Sequence, residues 1–567
     1  MLHEQNLLGI LLLSNRISSK YYNFVQKKLK AMENKRLKLP IGIQTFEKLR
    51  EGNFVYVDKT KYLVDLIDRG EIYFLARPRR FGKSLTISTF DALFSGKKEL
   101  FKGLYAEEFL NRPDFKPSPV IRLDMSSIAT NQKPEIFEMS LKQLTIEVAD
   151  KLGVEVPNHL PSGDILRNLI VNATKKHNQK AVVLIDEYDK PYTDFVNDPY
   201  MAEKMRDVLR SYYIQIKAND EYIRFAFLTG ISKFAKFGVF STFNNLNDIS
   251  LQEKYGNICG YTENEIINCF PDYLKEIADE MQITAEELIV KMRNYYNGFS
   301  FDLGLKSRLY NPFSTLLFFD NKDFLNYWFD TGKPKFIADY LKNRYLTVEQ
   351  FHNFPVSKDF AKSPGNLDST PPEGFLYQSG YLTLRPGEVS DLSFDYPNIE
   401  VLNSMSRLLA QNILPENTYN YSQNDLLAAL MYKDIEKLIN VLNSLLASIP
   451  YDDFSAAARQ SISDNNYKIK PQEWLYRSTI LAFLRGCGVV VTAEMHTNSG
   501  RADLVVSHKG KTWVIELKVA YENENPEAKA EKAIQQIKDK NYAKPYPNAI
   551  CVGLAIDDSQ RQITSYR

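Results

Sequence analysis

Three apolar runs constrain this chain more than any other feature, because each is continuous rather than alternating and each ends in polar residues. "EIYFLA" (Glu71–Ala76) leads into "RPRRFGKSLT", "AVVLI" (Ala181–Ile185) ends in Asp186-Glu187, and "YIRFAFLTGISK" (Tyr222–Lys233) carries Thr229-Gly230 near its C-terminal end. A strand that is apolar on both faces has to be covered on both faces, which is the situation of a parallel α/β sheet. Open sheets of that kind bind ligands at their carboxyl edge, where these runs place their polar groups. After the first run, "SLTISTFDALF" sets Leu85, Phe90 and Leu93 near helical spacing, so the local order is strand, basic loop, helix. Upstream, "FVYVD" (Phe54–Asp58) reads as a short strand and Tyr62–Arg69 as a helix.

The chain is 567 residues long, which predicts about two to four domains. A formal net charge of +1 gives no global field toward nucleic acid or membrane, so any nucleic-acid surface must be local. Cys259, Cys269, Cys487 and Cys551 are scattered, and the six histidines lack H-x₃₋₅-H spacing, which argues against a disulfide framework or a zinc site. Leu7–Leu13 is too short to span a bilayer and has no basic residue before it, so a cytoplasmic protein without membrane contact is expected. Residues 1–31 are expected to be a helical extension, or an overextended start ahead of Met32.

Four segments follow from the pattern: an extension (1–38), an α/β nucleotide domain (39–260), a mostly helical, aromatic middle (261–455) and a last α/β unit (456–567). In the middle, "YNGFSF", "YNPFSTLLFF" and "YWFDTGKPKFI" read as short packed helices with turns, and Ser363–Gly374 as a loop. "FLYQSGYLTLRPG" followed by "VSDLSFDYPN" reads as a hairpin, and Asn424–Ser448 as helix. The last unit opens with an amphipathic helix (Trp474–Arg485). Three strand-like runs follow, then the helix "PEAKAEKAIQQIKDKNYAKPY" and the strand "AICVGLAID".

The first candidate site is the basic loop. Gly82, Lys83 and Ser84 end it as a phosphate loop ends, with backbone N–H groups and a helix N-terminus converging on anionic oxygens. Lys83 would reach the β- and γ-phosphates and Ser84 would offer Mg²⁺ a hydroxyl. Asp186 would hold Mg²⁺ and Glu187 would orient water. A solvated basic turn with a helix-capping acidic pair is the plainer alternative. Arg77 stands where G-x-x-x-x-G-K-[ST] has its first glycine, a place where the backbone usually turns sharply. Arg77, Arg79 and Arg80 offer charge there, which does not replace backbone geometry.

The second candidate site is "KTWVIELKVA", which alternates. Trp513, Ile515, Leu517 and Val519 take one face, and Val514, Glu516, Lys518 and Ala520 the other. Asp503, on "GRADLVV", can pair with Glu516 across a hairpin. Two carboxylates suit Mg²⁺, and a lysine beside them would position water or offset charge on phosphate. E-x-K is common on edge strands, and the D-x₁₂-E-x-K spacing brings the two readings near even. Lys529, Lys532, Lys538, Lys540 and Lys544 supply local positive charge, interleaved with Glu527, Glu531 and Asp539, so a solvated face and a phosphate track fit equally.

From about Leu39 the chain resembles a bacterial family of AAA-ATPase-like proteins fused to a PD-(D/E)XK nuclease-like domain. The likeness runs through "LPIGIQTFEKLR", "YVDKTKYL", "RPRRFGKSL", "LIDEYDKP", "LTGISKF", "YNGF", "YNPFS", "YWFDTG", "YQSGYLT", "YPN" and "GRADLVV…VIELKV…AIQQIKDKNYAKPY". It covers nearly all of residues 39–567. The family's own loop carries arginine in place of the first glycine. The resemblance implies ATP at Gly82, Lys83 and Ser84, the Asp186–Glu187 pair for Mg²⁺ and water, and Thr229 sensing the γ-phosphate. It implies a nuclease core of Asp503, Glu516 and Lys518, with Glu473 as the helix carboxylate and Gln536 and Tyr542 on the following helix. Glu494 is expected to be structural. The expected function is an ATPase coupled to Mg²⁺-dependent cleavage of DNA. The alternative is an ATP-dependent switch or scaffold whose nuclease-like domain only binds nucleic acid or a partner. A homo-oligomer would let an arginine from another copy complete the ATP site, and Arg79, Arg80 and Arg224 are candidates.

Overall fold

The computed structural model describes residues 36–70, 72–128, 133–195, 198–231, 246–330, 348–359, 372–388, 390–413, 416–449, 471–497 and 500–567. The three apolar runs are strands: β1 (Ile72–Ala76), β3 (Ala181–Asp186) and β4 (Ile223–Gly230), with β2 (Val120–Asp124) and the short β5 (Asn247–Asp248) completing the sheet. The order is β2-β3-β4-β1-β5, and all pairs are parallel. β1 and β3 are buried along their whole length, as continuous apolar runs require. Helix α1 (Lys83–Phe94) packs on β2, β3 and β4. The helices Pro134–Lys151, Ser162–His177 and Pro199–Ala218 pack on one another, the first against β2 and the second against β3.

No strand forms over Phe54–Asp58. Phe54 makes an isolated bridge with Lys38, while Val55 and Val57 are buried among the middle helices beside Ile266, Leu288 and Tyr310. Val55 and Val57 are covered by packing into helices rather than by a ladder. In the middle region, Thr262 with Glu265 and Thr284 with Glu287 form capping boxes that start two helices, Glu263–Cys269 and Ala285–Tyr296. Helix α2 (Pro312–Asn321) follows. A small antiparallel sheet of order β6-β8-β7 joins β6 (Phe354–Val356), β7 (Thr383–Pro386) and β8 (Leu392–Asp395). β7 and β8 are the expected hairpin, but "FLYQS" belongs to a helix (Pro372–Ser379) whose residues from Gly374 onward are buried. Asn424–Ser448 is divided between the helices Glu416–Tyr432 and Ile435–Ala447. The Leu7–Leu13 run and most of Ser363–Gly374 lie outside the described residues.

Helix α3 (Ile399–Ile413) packs against α4 (Pro471–Gly486), the first helix of the C-terminal unit. A Cβ placed on Gly486 would come within 2.9 Å of Arg407 Cα, so the two backbones approach as closely as glycine allows. The C-terminal sheet runs β13-β12-β11-β10-β9, with β9 (Val490–Thr497), β10 (Gly500–His508), β11 (Lys511–Ala520), β12 (Ile550–Asp557) and β13 (Gln562–Tyr566). β10–β11 is antiparallel and β11–β12 parallel. Trp513, Ile515, Leu517 and Val519 share a core with α4, while Val514 joins Ile534 and Ile537 of α5 (Pro526–Asp539) on the other face. The expected helix over residues 526–546 therefore stops at Asp539. Among the described residues no helix is long and apolar enough to cross a membrane.

Candidate functional site

β1 delivers the chain into a loop that curls round one ammonium group. Lys83 Nζ donates to the carbonyls of Arg77 and Pro78, both at 3.0 Å. Burial pushes the Lys83 pKa down, against the field of Glu187, Asp186 and Asp189. Gly82 has φ 95° and caps α1 without any side-chain hydrogen bond to the helix N-terminus. A Cβ there would meet nothing within 4 Å, so backbone conformation rather than space calls for glycine. The first N–H groups of α1 have no intrahelical acceptor, the usual condition for binding an anion.

Arg77 is not a charge offered to phosphate. It is 1% exposed, and its guanidinium donates to the carbonyls of Ala76 (2.9 Å), Ser250 (2.7 Å) and Tyr255 (3.1 Å). It also lies 4.4 Å from the centroid of the Phe301 ring. The left-handed residues of the loop are Arg80 (φ 67°) and Gly82; Arg77 is not among them, and its backbone makes no demand for glycine. Arg77 ties the loop to the segment after β5. Phe81 ties it to the middle region, with edge-on contacts to Phe299 and Phe301.

At the end of β3, Asp186 is 2% exposed and accepts from the Thr229 hydroxyl at 2.6 Å and from the Glu187 N–H at 3.1 Å. Glu187 has φ 51°, an uncommon conformation for a side chain of its size. Burial raises its pKa, against the lowering fields of Lys83 and Arg79. β4 lies between β1 and β3 and brings Thr229 to Asp186. Gly230 is required by space: a Cβ would stand 2.5 Å from Asp189 and from the Tyr188 ring.

A cavity of about 490 Å³ opens beside these groups, lined by Arg79, Arg80, Gly82, Lys83, Ser84 and Glu187. Its far walls come from the N-terminal segment (Pro40, Ile43, Tyr56) and from the middle region (Phe313, Trp328, Tyr381). The Arg80 guanidinium sits 4.7 Å from the centroid of the Phe313 ring, on α2. The volume is that of small-molecule sites. Sequence reasoning missed the middle-region wall, because aromatic residues a few hundred positions from the loop give no local signal. Arg224 is bound elsewhere, donating to Lys116 O at 2.8 Å and Ser118 Oγ at 3.1 Å from the opposite end of β4.

The second site is built on β10 and β11. Register sets Leu504 against Ile515, and one step further Leu517 N–H donates to Asp503 Oδ2 at 2.9 Å and Asp503 N–H to Glu516 Oε2 at 3.3 Å. Lys518 Nζ donates to Glu516 Oε1 at 3.0 Å, and Gln536 Nε2 of α5 donates to the same oxygen. Tyr542 is buried, with its hydroxyl 3.5 Å from Gln536 Nε2. Glu516 is 1% exposed, and burial, with Asp503 beside it, pushes its pKa up to about 7. Glu473, in the first turn of α4, has its pKa raised by burial while Lys518 pulls it down and Asp503 pushes it up, so it belongs to the same field. Arg477, which sequence reasoning missed, brings its guanidinium to 3.8 Å from Asp503 Oδ1. Its spacing of four from Glu473 was the available signal. The side chain of Glu494 lies outside the described residues.

On α5, Lys529 pairs with Glu524 at 2.8 Å, Glu531 with Arg567 at 3.3 Å, and Gln535 bonds Asp539 at 2.7 Å. Part of that mixed charge is thus used within the protein.

Residues 40–240 match a family model described as "Predicted AAA-ATPase", and residues 471–566 match the "PD-(D/E)XK nuclease superfamily". An uncharacterized protein in the vnfD 5′ region of Azotobacter chroococcum mcd 1 is 34% identical over 521 residues, covering 90% of this chain and 94% of that one. Among solved structures, the Aeropyrum pernix ORC2 protein (ADPNP-ADP complexes) aligns at 13% identity over 76% of this chain and 85% of its own, with TM-score 0.25. The Aeropyrum pernix ORC1 protein in complex with DNA aligns at 11% identity over 61% and 91%, with TM-score 0.24. Likenesses that slight carry no functional argument.

Proposed function

The chain belongs to the family of AAA-ATPase-like proteins that carry a C-terminal PD-(D/E)XK nuclease-superfamily domain, and from that premise we propose that it is an ATP-regulated, Mg²⁺-dependent nuclease acting on DNA. The observation that carries this reading is the cluster on β10 and β11, where Asp503, Glu516 and Lys518 are joined by hydrogen bonds. The donor set fits Mg²⁺, a hard cation commonly bound by one or two carboxylates together with waters and substrate phosphate oxygens. Burial first, and then the neighbouring Asp503 carboxylate, raise the Glu516 pKa, so a cation held between the two carboxylates would relieve both effects. Asp503 and Glu516 would hold Mg²⁺, which supplies a Lewis acid and an acidified water when bound. Lys518 would orient that water or meet charge developing on the phosphate, and Gln536 would keep the Glu516 carboxylate in place. Glu473 would act from α4 as the third carboxylate.

In the N-terminal cavity, Gly82, Lys83 and the N-terminus of α1 would hold the ATP phosphates, with Arg80 beside them. Lys83 would exchange the carbonyls of Arg77 and Pro78 for phosphate oxygens. Ser84 and Asp186 would share Mg²⁺, Thr229 would orient Asp186, and Glu187 would position the attacking water. The middle region supports regulation, because it walls the cavity with Trp328 and meets the nuclease unit through α3 and α4. Trp328 N–H donates at 2.9 Å to Glu400, in the first turn of α3.

The test is cleavage of linear and circular DNA with Mg²⁺ or Mn²⁺, with and without ATP, comparing wild type with Asp503→Ala and Lys83→Ala. Cleavage lost in Asp503→Ala and insensitive to ATP in Lys83→Ala is the expected result. ATP binding without cleavage under any condition would replace this reading with that of a nucleotide switch.

A further inference from the structure

The loop that carries Lys83 also holds an arginine in a strained setting. Arg80 has φ 67°, a left-handed backbone that glycine or asparagine adopts more easily. The next residue, Phe81, turns inward onto Phe299 and Phe301, while Arg80 stays exposed and lines the cavity. What arginine brings to this position is therefore its side chain rather than its backbone.

Neighbouring cations of the cavity are held by oxygen. Lys59 Nζ donates to both oxygens of Glu265 at 2.7 Å, Lys190 pairs with Asp194 at 2.8 Å, and Lys83 donates to two carbonyls. The guanidinium of Arg80 lies instead over the ring of Phe313, 4.7 Å from its centroid. That ring is itself fixed. Phe313 stands in the first turn of α2, where Asn311 accepts from the N–H groups of Phe313 at 2.9 Å and Ser314 at 3.2 Å. A guanidinium has two separate binding surfaces: a flat face that stacks on an aromatic ring, and an edge of N–H donors that fits two oxygens of a phosphate. Using the face on Phe313 leaves the edge for an anion. Arg79 acts on both Glu187 and Tyr381, so the middle-region wall stands on the Glu187 side of the cavity, where the terminal phosphate of ATP would lie.

We propose that Arg80 reads the terminal phosphate of ATP with the edge of its guanidinium while the face stays on Phe313, so that one side chain both discriminates ATP from ADP and ties α2 of the middle region to the bound nucleotide. The inference rests on the ATP reading of the cavity, and it makes Phe313 a positioning residue that acts through Arg80. ATPγS and ADP, each with Mg²⁺, are titrated calorimetrically into full-length wild type, Arg80→Gln, Arg80→Lys, Phe313→Leu and the variant that combines Arg80→Gln with Phe313→Leu. Arg80→Gln is expected to bind ATPγS roughly tenfold more weakly and ADP as before. Arg80→Lys should recover only part of that loss, because an ammonium has no flat face to stack. Phe313→Leu should weaken ATPγS by about two- to fivefold and leave ADP unchanged. The combined variant should be no weaker than Arg80→Gln alone. Hydrogen exchange gives a second readout: ATPγS, and not ADP, should protect the amides of α2 in wild type, and both single substitutions should abolish that protection. Equal losses for the two nucleotides would overturn the proposal and make Arg80 a general counter-charge. Wild-type ATPγS affinity in Phe313→Leu, or additive losses in the combined variant, would overturn it equally, since the ring would then not act through Arg80. Exchange in α2 that ATPγS leaves unchanged would overturn the tie to the middle region. A wild-type chain that binds neither nucleotide would refute the ATP reading itself, and the assignment of Arg80 with it.

Discussion

Replacing Arg77 by glycine would give the loop the residue that phosphate loops ordinarily carry at that place, and the structure predicts damage rather than improvement. The side chain is 1% exposed and serves the carbonyls of Ala76, Ser250 and Tyr255. Its removal leaves these acceptors in a space that a large side chain had filled. A hydrogen bond from a charged donor contributes about 1.5–3 kcal/mol. Relief from burying the guanidinium offsets part of the loss, because burial alone lowers the Arg77 pKa. A net cost of about 3–5 kcal/mol follows from three buried carbonyls left without their donor and from the space the side chain had filled. For a domain of about 200 residues, each kcal/mol lowers Tm by about 2–4 °C. The transition of the N-terminal unit in differential scanning calorimetry should therefore fall by roughly 10 °C, with ATP binding weakened. Arg77→Lys should sit between, since one ammonium cannot reproduce a planar fork reaching carbonyls on both sides of the loop. An Arg77→Gly chain that melts like wild type, or binds ATP more tightly, would refute the reasoning that Arg77 is an anchor.

Glu187→Gln should retain ATP binding and lose hydrolysis by roughly a hundredfold or more, measured as phosphate release, if Glu187 positions the water. Trp328 lines the cavity, so ATP titration should change tryptophan emission, and the change should vanish in Trp328→Phe and in Lys83→Ala. Glu516 has a folded pKa raised from 4.5 to about 7, so the folded chain holds its proton more tightly than the unfolded chain between those values. In EDTA, stability should fall as pH rises through that window, by up to about 3 kcal/mol. Thermal melts from pH 5 to 8 should show the slope in wild type and its loss in Glu516→Gln or with excess Mg²⁺. Gly486→Ala inserts a Cβ 2.9 Å from Arg407 Cα and from the Tyr419 hydroxyl, which forces α3 and α4 apart. A cost of about 1–3 kcal/mol and a smaller effect of ATP on cleavage are expected, read from melts and from the same DNA assay.

What the sequence made legible was local. A continuous apolar run reports burial on both faces, so β1, β3 and β4 and the polar groups at their ends were readable without any partner in view. Strict alternation along β11 set Glu516 and Lys518 on one face, and a simple hairpin brought Asp503 to them. The strand reading failed at Phe54–Asp58, because a short apolar run reports burial and does not say what covers it. There, helices cover it. Arg77 was unreadable for a related reason. Its role is fixed by Ser250 and Tyr255, more than 170 positions away, and a basic residue in a basic loop gives no sign that it points inward.

Those failures share a physical origin that bears on the proposed coupling of the two candidate sites. Each residue whose role the sequence hid touches a segment from another part of the chain: Arg77 the stretch after β5, Trp328 the cavity beside Lys83, Arg477 the strand that carries Asp503. Long-range contacts of this kind are what coupling between distant sites requires, since a signal has to pass through packed groups that belong to both. The contacts form a continuous series here. Trp328 lines the cavity and bonds Glu400, Glu400 lies in the first turn of α3, α3 lies against α4 at Gly486, and α4 carries Glu473 and Arg477 into the field of Asp503. Under the proposed reading, a change at the cavity that moves Trp328 would act on a helix whose far neighbour holds a carboxylate and a guanidinium of the Asp503 cluster. A shift of α3 would, under the proposed regulation, be passed on to α4, because the two meet through a glycine with no room for a Cβ.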